Sequence, residues 1–66
     1  MKNEIDHARS YNTEVALRQR LEQHDLLKYH PVIVRNRAGR FTAIFSAARI
    51  YDGNAFGVAK IGFKVI

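Results

Sequence analysis

The spacing of apolar side chains changes at Pro31. Before it, Leu17 and Leu21 recur one helical turn apart among charged residues, and Glu14 and Arg18 stand four residues apart as a supporting ion pair. This pattern predicts a principal helix at about residues 13–26, within a helical segment that extends to residue 28. The proline ends it, because a residue that precedes proline is pushed toward an extended conformation.

The first ten residues do not continue that helix. In one straight helix, the side chains of Ile5, Ala8 and Tyr11 would lie on a different face from those of Leu17 and Leu21. We therefore expect a break near residues 10–13. Residues 1–10 are then either a short helical turn or a frayed arm.

After the proline, the pattern is that of strands joined by tight turns. The predicted strands are 32–36, 40 to about 50, and 55–65, where apolar residues alternate. Gly39 favours a type I turn with a bulge between the first two strands, because glycine readily takes a positive φ. The Asp52–Asn54 segment predicts the second turn.

The expected fold is α+β: one N-terminal helix packed on a three-stranded antiparallel β-meander, in the order α-β-β-β. It forms a single domain over residues 1–66, with the sheet in 31–66 and the second strand at its centre. The expected core is Leu17, Leu21, Phe41, Ala43, Phe45, Ile61 and Phe63, completed by Ile33 or its neighbours. The opposite sheet face would carry Ile44, Phe56, Val58 and Ile66 with nothing to cover them, which favours a partner or self-association.

Composition and charge narrow the functional classes. The 66 residues include no cysteine, which excludes a disulfide scaffold and a thiolate zinc site and favours a reducing, cytoplasmic setting. No apolar run is long enough for a membrane span. The formal net charge is +5, and the whole surplus lies in residues 31–66, since residues 1–30 balance five basic against five acidic groups. Such asymmetry favours a polyanionic or acidic partner.

Residues for catalysis are few. The chain has no cysteine nucleophile, phosphate-binding loop or dinucleotide fingerprint, and the cluster Glu22, His24 and Asp25 fits a solvated helix face better than a proton-transfer site. Its histidines, which include His7 and His30, lack the spacing that places two imidazoles on one metal. We therefore expect a non-enzymatic protein without a metal or cofactor.

The strongest functional pattern is the arginine set at the first hairpin, which we call the arginine hairpin (residues 35–40). It presents three guanidinium groups within six positions, and guanidinium suits phosphate and carboxylate equally well. The predicted contacts to nucleic acid or an acidic partner are Arg35, Arg37, Arg40, Arg49, Lys60 and Lys64. The alternative is a set of solubilising charges that protect a strand edge.

Aromatic and apolar side chains near these cations extend the hypothesis. Tyr51, Phe56 and Val58 would form a stacking surface or an apolar interface. Two functions follow: a nucleic-acid-binding protein, or a protein-binding regulator or inhibitor in the style of phage and plasmid accessory proteins. The second would use the sheet face or an edge strand, including as a homodimer.

The order α-β-β-β with a basic hairpin resembles the first three quarters of a double-stranded-RNA-binding domain. That family closes with a second helix that carries a lysine cluster, whereas the order predicted here ends in a strand. The sequence therefore supports no family assignment.

Overall fold

The helices and strands follow the order α-β-β-α-β, which the sequence predicts only in part. A computed structural model describes residues 4–66. Its helices and strands are α1 (Glu14–Gln23), β1 (Val32–Arg35), β2 (Phe41–Phe45), α2 (Ala55–Ile61) and β3 (Lys64–Val65), with single 3-10 turns at Glu4–His7, Leu27–Tyr29 and Ala47–Arg49. The α+β class is confirmed.

Helix α1 begins and ends at identifiable backbone features. The Thr13 hydroxyl accepts a hydrogen bond from the Ala16 N–H at 3.1 Å, which caps the first turn. Glu14 and Arg18 form the expected ion pair at 2.8 Å. The helix stops before the predicted end because Asp25 takes a left-handed conformation, with φ at 58°.

The first hairpin has the expected turn. The Gly39 N–H donates to the Asn36 carbonyl at 3.0 Å, and Gly39 has a φ of 77°. The Asn36 N–H donates in turn to the Arg40 carbonyl at 2.9 Å, which begins the antiparallel ladder. From there β1 and β2 run in register, and Arg35 lies opposite Phe41.

The predicted third strand over residues 55–65 is wrong. Residues 55–61 form helix α2, whose Ala55, Val58 and Ile61 recur every three residues, and Gly62 ends it with a φ of 116°. Only Lys64–Val65 is extended, and it pairs parallel to β2. The sheet is therefore mixed, in the order β1-β2-β3 with β2 central, and is not an antiparallel meander. A parallel neighbour requires a crossover, which α2 supplies.

The core joins both helices to one face of the sheet. Five residues expected in it are buried: Leu17, Leu21, Ala43, Phe45 and Phe63, with Ile33, Phe41 and Ile61 packed partly buried against them. Four further residues join them, namely Leu26, Tyr29, Ile50 and Val58. Val58 is 0% exposed, so its expected place on an open apolar face is wrong. The helix turns this side chain inward, whereas a strand would have placed it beside Phe56.

The described part of the predicted arm, together with Tyr11 that follows it, is bonded to the sheet and to α2. Tyr11 pairs with Phe41 through two backbone hydrogen bonds of 2.8 Å. The Arg9 N–H and Nε donate to the carbonyls of Gly62 and Ile61 at 2.8 and 2.9 Å, and the Thr42 hydroxyl donates to the Arg9 carbonyl at 2.7 Å. Residues 1–3 of that arm lie outside the described residues.

Candidate binding surfaces

Arg35 is the cation of the arginine hairpin whose guanidinium lies over an aromatic ring. It is exposed at the end of β1, and its guanidinium carbon lies 4.8 Å from the centroid of the Phe41 ring. Phe41 is its cross-strand partner, so strand register itself sets this contact. A guanidinium over an aromatic face is attracted by the ring while its N–H groups remain free to bind an anion.

Arg37 lies on the turn and has a carboxylate beside it. Its backbone N–H donates to Asp6 Oδ1 at 3.0 Å, and its Nε lies 3.7 Å from Asp6 Oδ2. The Arg37 side chain is 81% exposed, and an exposed pair of this kind contributes little to stability. The guanidinium is therefore accessible to a stronger anion such as phosphate.

Arg40 is used within the fold. Its guanidinium donates to the Ser10 hydroxyl at 2.8 Å, to the Ser10 carbonyl at 3.0 Å and to the Asn12 side chain. These bonds hold the N-terminal segment against the hairpin. Arg40 therefore has a structural role that its sequence position does not indicate, and its guanidinium is less available to a partner than predicted.

The remaining predicted cations do not join the arginine hairpin. Arg49 donates to the His30 carbonyl at 3.0 Å, beyond the far end of β2, and exposed Lys60 lies on α2. Lys64 is half-buried on β3. Arg35 pairs with the first residue of β2, whereas Arg49 follows its last, so at about 3.3 Å per residue the two lie more than roughly 13 Å apart along the strand.

Two exposed aromatic rings flank the second predicted turn, in a segment that we call the aromatic turn (residues 51–56). Tyr51 is 74% exposed and Phe56 is 76% exposed. The Tyr51 ring packs edge-on against Tyr29 with centroids 5.8 Å apart, and Lys60 Nζ lies 5.8 Å from the Phe56 centroid. The structure thus keeps two of the three predicted stacking residues on the surface.

A hydrogen-bonded carboxylate fixes the base of the aromatic turn. The Tyr29 hydroxyl lies 2.7 Å from both Asp52 oxygens, and the Asn54 N–H donates to Asp52 at 3.2 Å. The hydrogen bond from Tyr29 is the main cause that lowers the pKa of the Asp52 carboxyl. Burial is the main cause that raises the pKa of the Tyr29 phenol. A hydrogen bond to Asp25 raises the pKa of Lys28, whose ammonium also lies 3.5 Å from Asp52.

Sequence reasoning missed this cluster, since Tyr29 and Asp52 are 23 positions apart. The available signal was the Asp52 side chain in a turn, where aspartate commonly accepts a hydrogen bond from the backbone two residues on. Nothing in the pattern indicated which side chain would approach from outside the turn.

Clusters of metal-ligating side chains and helices able to span a membrane do not occur in residues 4–66. There, no group of three or more His, Cys, Asp or Glu side chains is placed to hold a metal ion. None of the helices in this range has the length and apolar character needed to cross a membrane.

No known family model, curated protein or solved structure matches this chain.

Proposed function

We propose that this protein is a non-enzymatic nucleic-acid-binding protein whose arginine hairpin contacts phosphate. The observation that carries the proposal is the exposed Arg35 guanidinium, held over Phe41 and followed on the turn by exposed Arg37. Ordering a side chain in advance lowers the entropy that binding must remove. Two exposed guanidinium groups two positions apart on one hairpin suit the spaced charges of a phosphate backbone.

The distribution of charge supports the same interpretation. Residues 31–66 contain six basic residues and a single acid, Asp52. That acid is hydrogen-bonded to Tyr29 beyond the far end of β2, so it does not neutralise the arginine hairpin. The carboxylate beside the hairpin is that of Asp6, which offsets one of its charges.

The aromatic turn favours single-stranded nucleic acid as the ligand. Unpaired bases stack on exposed aromatic rings without regard to sequence, and cations beside the rings attract the adjoining phosphates. Tyr51 and Phe56 are such rings, and Lys60 is such a cation. We therefore propose that the protein binds unpaired strands more tightly than duplex.

The test is the binding of fluorescently labelled single-stranded and duplex oligonucleotides over a series of salt concentrations. Arg35→Gln/Arg37→Gln is compared with Arg18→Gln/Arg20→Gln, which removes the same charge from exposed positions of α1. We expect the hairpin variant to have the lower affinity of the two. Its slope of log affinity against log salt should shrink by about 0.7 for each phosphate of the single strand that the variant no longer neutralises.

Two results would overturn the proposal. If neither oligonucleotide binds at low salt, the protein does not act on nucleic acid. If the affinities of the two double variants fall equally, binding reflects net charge alone and the arginine hairpin is not its site.

A second candidate function is protein binding, as a regulator or inhibitor. A specific observation favours it: β1 is an edge strand, and Val32 on it is 56% exposed. Unpaired edges of this kind add strands from other chains.

A further inference from the structure

The outer edge of β1 presents backbone groups that no strand within residues 4–66 pairs with. The bond from the Asn36 N–H to the Arg40 carbonyl sets the phase of the antiparallel ladder, in which bonded pairs alternate with non-bonded ones. Val34 and Val32 therefore bond to β2, while the N–H and C=O groups of Ile33 and Arg35 point away from it.

The opposite edge of β2 confirms this phase. Phe41 lies opposite Arg35, in a pair that the alternation makes non-bonded. Both backbone groups of Phe41 bond instead to Tyr11, on the side away from β1. The free groups of Ile33 and Arg35 are thus a consequence of register and do not depend on side-chain placement.

We propose that β1 pairs antiparallel with β1 of a second copy of this chain, about a two-fold axis at Val34. In this register Ile33 exchanges two hydrogen bonds with the partner's Arg35, and Arg35 exchanges two with the partner's Ile33. A two-fold axis makes such an interface self-complementary, because every contact that one copy makes with the other is repeated with the two copies exchanged. The result is one continuous sheet of six strands.

The other symmetric registers that use the same backbone groups are poorer. An axis at Ile33 places Arg35 opposite the partner's Pro31, which has no N–H to donate. An axis at Arg35 sets two guanidinium groups directly opposite each other, and like charges in that position are destabilising. The axis at Val34 avoids both defects.

The side chains around that axis favour a second copy over a different partner. Val34 meets the partner's Val34, and Val32 lies opposite the partner's Asn36, so no charge lies on this face of the new contact. On the other face Arg35 lies opposite Ile33. An acidic extended peptide would leave these apolar positions unmatched, whereas a second copy covers exposed Val32 and half-buried Val34.

The pairing has a defined salt dependence. Each copy carries a formal net charge of +5, so the two copies repel. Salt screens that repulsion, and association should therefore strengthen as salt increases. Nucleic-acid binding weakens with salt, so the two activities are separable in one series of buffers.

The first test is disulfide cross-linking of single-cysteine variants, which is possible because the chain has no cysteine of its own. Val34→Cys places two thiols at the axis, where the Cα spacing of about 4.5 Å in a non-bonded pair lies within the range for a disulfide. Val32→Cys is the control: it lies on the same strand and face but opposite the partner's Asn36. Its rate of disulfide formation therefore reports random collision between copies. We expect covalent dimer to form at least about tenfold faster with Val34→Cys. Equal rates would overturn the proposed register.

The second test measures mass by sedimentation equilibrium without nucleic acid. Arg35→Pro removes the outward N–H while leaving the β1–β2 ladder intact, and Arg35→Gln keeps the N–H but removes the same charge. The native chain and Arg35→Gln should show twice the mass of one chain at high concentration, and Arg35→Pro should be monomeric. A native chain that is monomeric at every concentration and salt would overturn the proposal, whatever its affinity for nucleic acid.

Discussion

The hydroxyl of Tyr29 lies 2.7 Å from both carboxylate oxygens of Asp52 and donates its hydrogen to them. Tyr29 precedes β1, whereas Asp52 follows β2 and lies in the turn before α2. The hydrogen bond therefore joins two connections that are remote in sequence. It also positions Tyr51, whose ring packs against that of Tyr29. Because Tyr29 is otherwise in the core, the orientation of the aromatic turn depends on the core.

This hydrogen bond should make stability depend on pH at the acid end. The bond lowers the pKa of the Asp52 carboxyl in the folded state, so its stabilisation is complete above the ordinary pKa of about 4. It disappears as the pH falls through the lowered value. Tyr29→Phe should therefore lower the urea midpoint at neutral pH and have a smaller effect in strong acid.

Tyr51→Phe is the matched control, because it removes a hydroxyl from an exposed ring on the same cluster. Its urea midpoint should equal that of the native chain at both pH values. An effect of Tyr29→Phe that is the same in acid and at neutral pH would show that the Asp52 carboxylate is not its origin.

The assignment of residues 55–61 to a helix is tested by two charged substitutions. In a strand, residues 56 and 58 would share a face, but α2 leaves Phe56 exposed and buries Val58. Phe56→Asp should change the free energy of unfolding by no more than about 0.5 kcal/mol. Val58→Asp buries an unpaired charge and should cost more than about 4 kcal/mol, which leaves a chain of this size largely unfolded.

Circular dichroism and urea unfolding of both variants would distinguish the alternatives. Similar stabilities for Phe56→Asp and Val58→Asp would contradict the helix. A stable Val58→Asp variant would contradict the burial of Val58.

Much of the first half of the fold follows from sequence pattern alone. Thr13 is a strong helix cap, and Gly39 is the residue that a bulged hairpin turn requires, so α1 and the hairpin are determined by local chemistry. The far ends of the elements differ from the prediction: α1 stops at Gln23, and β2 stops at Phe45, where the pattern predicts a strand to about residue 50. The local signals and the structure agree at the Thr13 cap and at the Gly39 turn.

The sequence of α2 led to a wrong strand prediction because its apolar residues fit both the two-residue period of a strand and the period of a helix. Alternate residues 55–65 are small or apolar and fit a strand, yet Ala55, Val58 and Ile61 also fit one face of a helix. The clearer signal is at the C-terminal end, where Gly62 follows the segment at a positive φ; Asn54 precedes the segment, but its side chain makes no capping hydrogen bond. Alternation of small residues is weak support for a strand when the same residues fit a helix face and a glycine follows the segment.

The sequence predicts that arginines are the candidate binding residues, but it does not predict which contacts each arginine makes in the fold. Composition identified the arginines, but only the fold shows that Arg40 binds Ser10 and that Arg35 lies on Phe41. Both facts depend on contacts between segments that are distant in sequence or paired across strands. Charge counting cannot separate a structural cation from an available one.

The end of α2 should be sensitive to replacement of Gly62. This residue has a φ of 116°, and a Cβ there would lie 3.2 Å from the Arg9 Cβ. Gly62→Ala should therefore destabilise the protein by more than the roughly 1–2 kcal/mol that an L residue costs in a left-handed conformation.

Gly39→Ala is the control, since Gly39 also has a positive φ but a Cβ there meets nothing within 4 Å. In urea unfolding of both variants, Gly39→Ala should lower the free energy of unfolding only by the cost of the strained backbone. Equal destabilisation of the two variants would show that the approach of Arg9 to α2 contributes no constraint.

The aromatic turn makes a separate prediction about the form of nucleic acid that binds. Stacking of a base on an aromatic side chain contributes about 1–3 kcal/mol, so Tyr51→Ala/Phe56→Ala should weaken single-strand binding at least about fivefold. Affinity for duplex should change little, because paired bases are not free to stack. The salt slope should stay the same, since neither substitution removes a charge.

The control for that variant is Val15→Ala, which removes an exposed apolar side chain from α1. It should leave both affinities unchanged in the same anisotropy titrations, and the folded fraction of each variant is checked by circular dichroism. An equal fall in affinity for single strands and duplex would show that the two rings do not stack on bases. Since the arginine hairpin is intact in these variants, that result would leave phosphate binding in place and remove only the preference for unpaired strands.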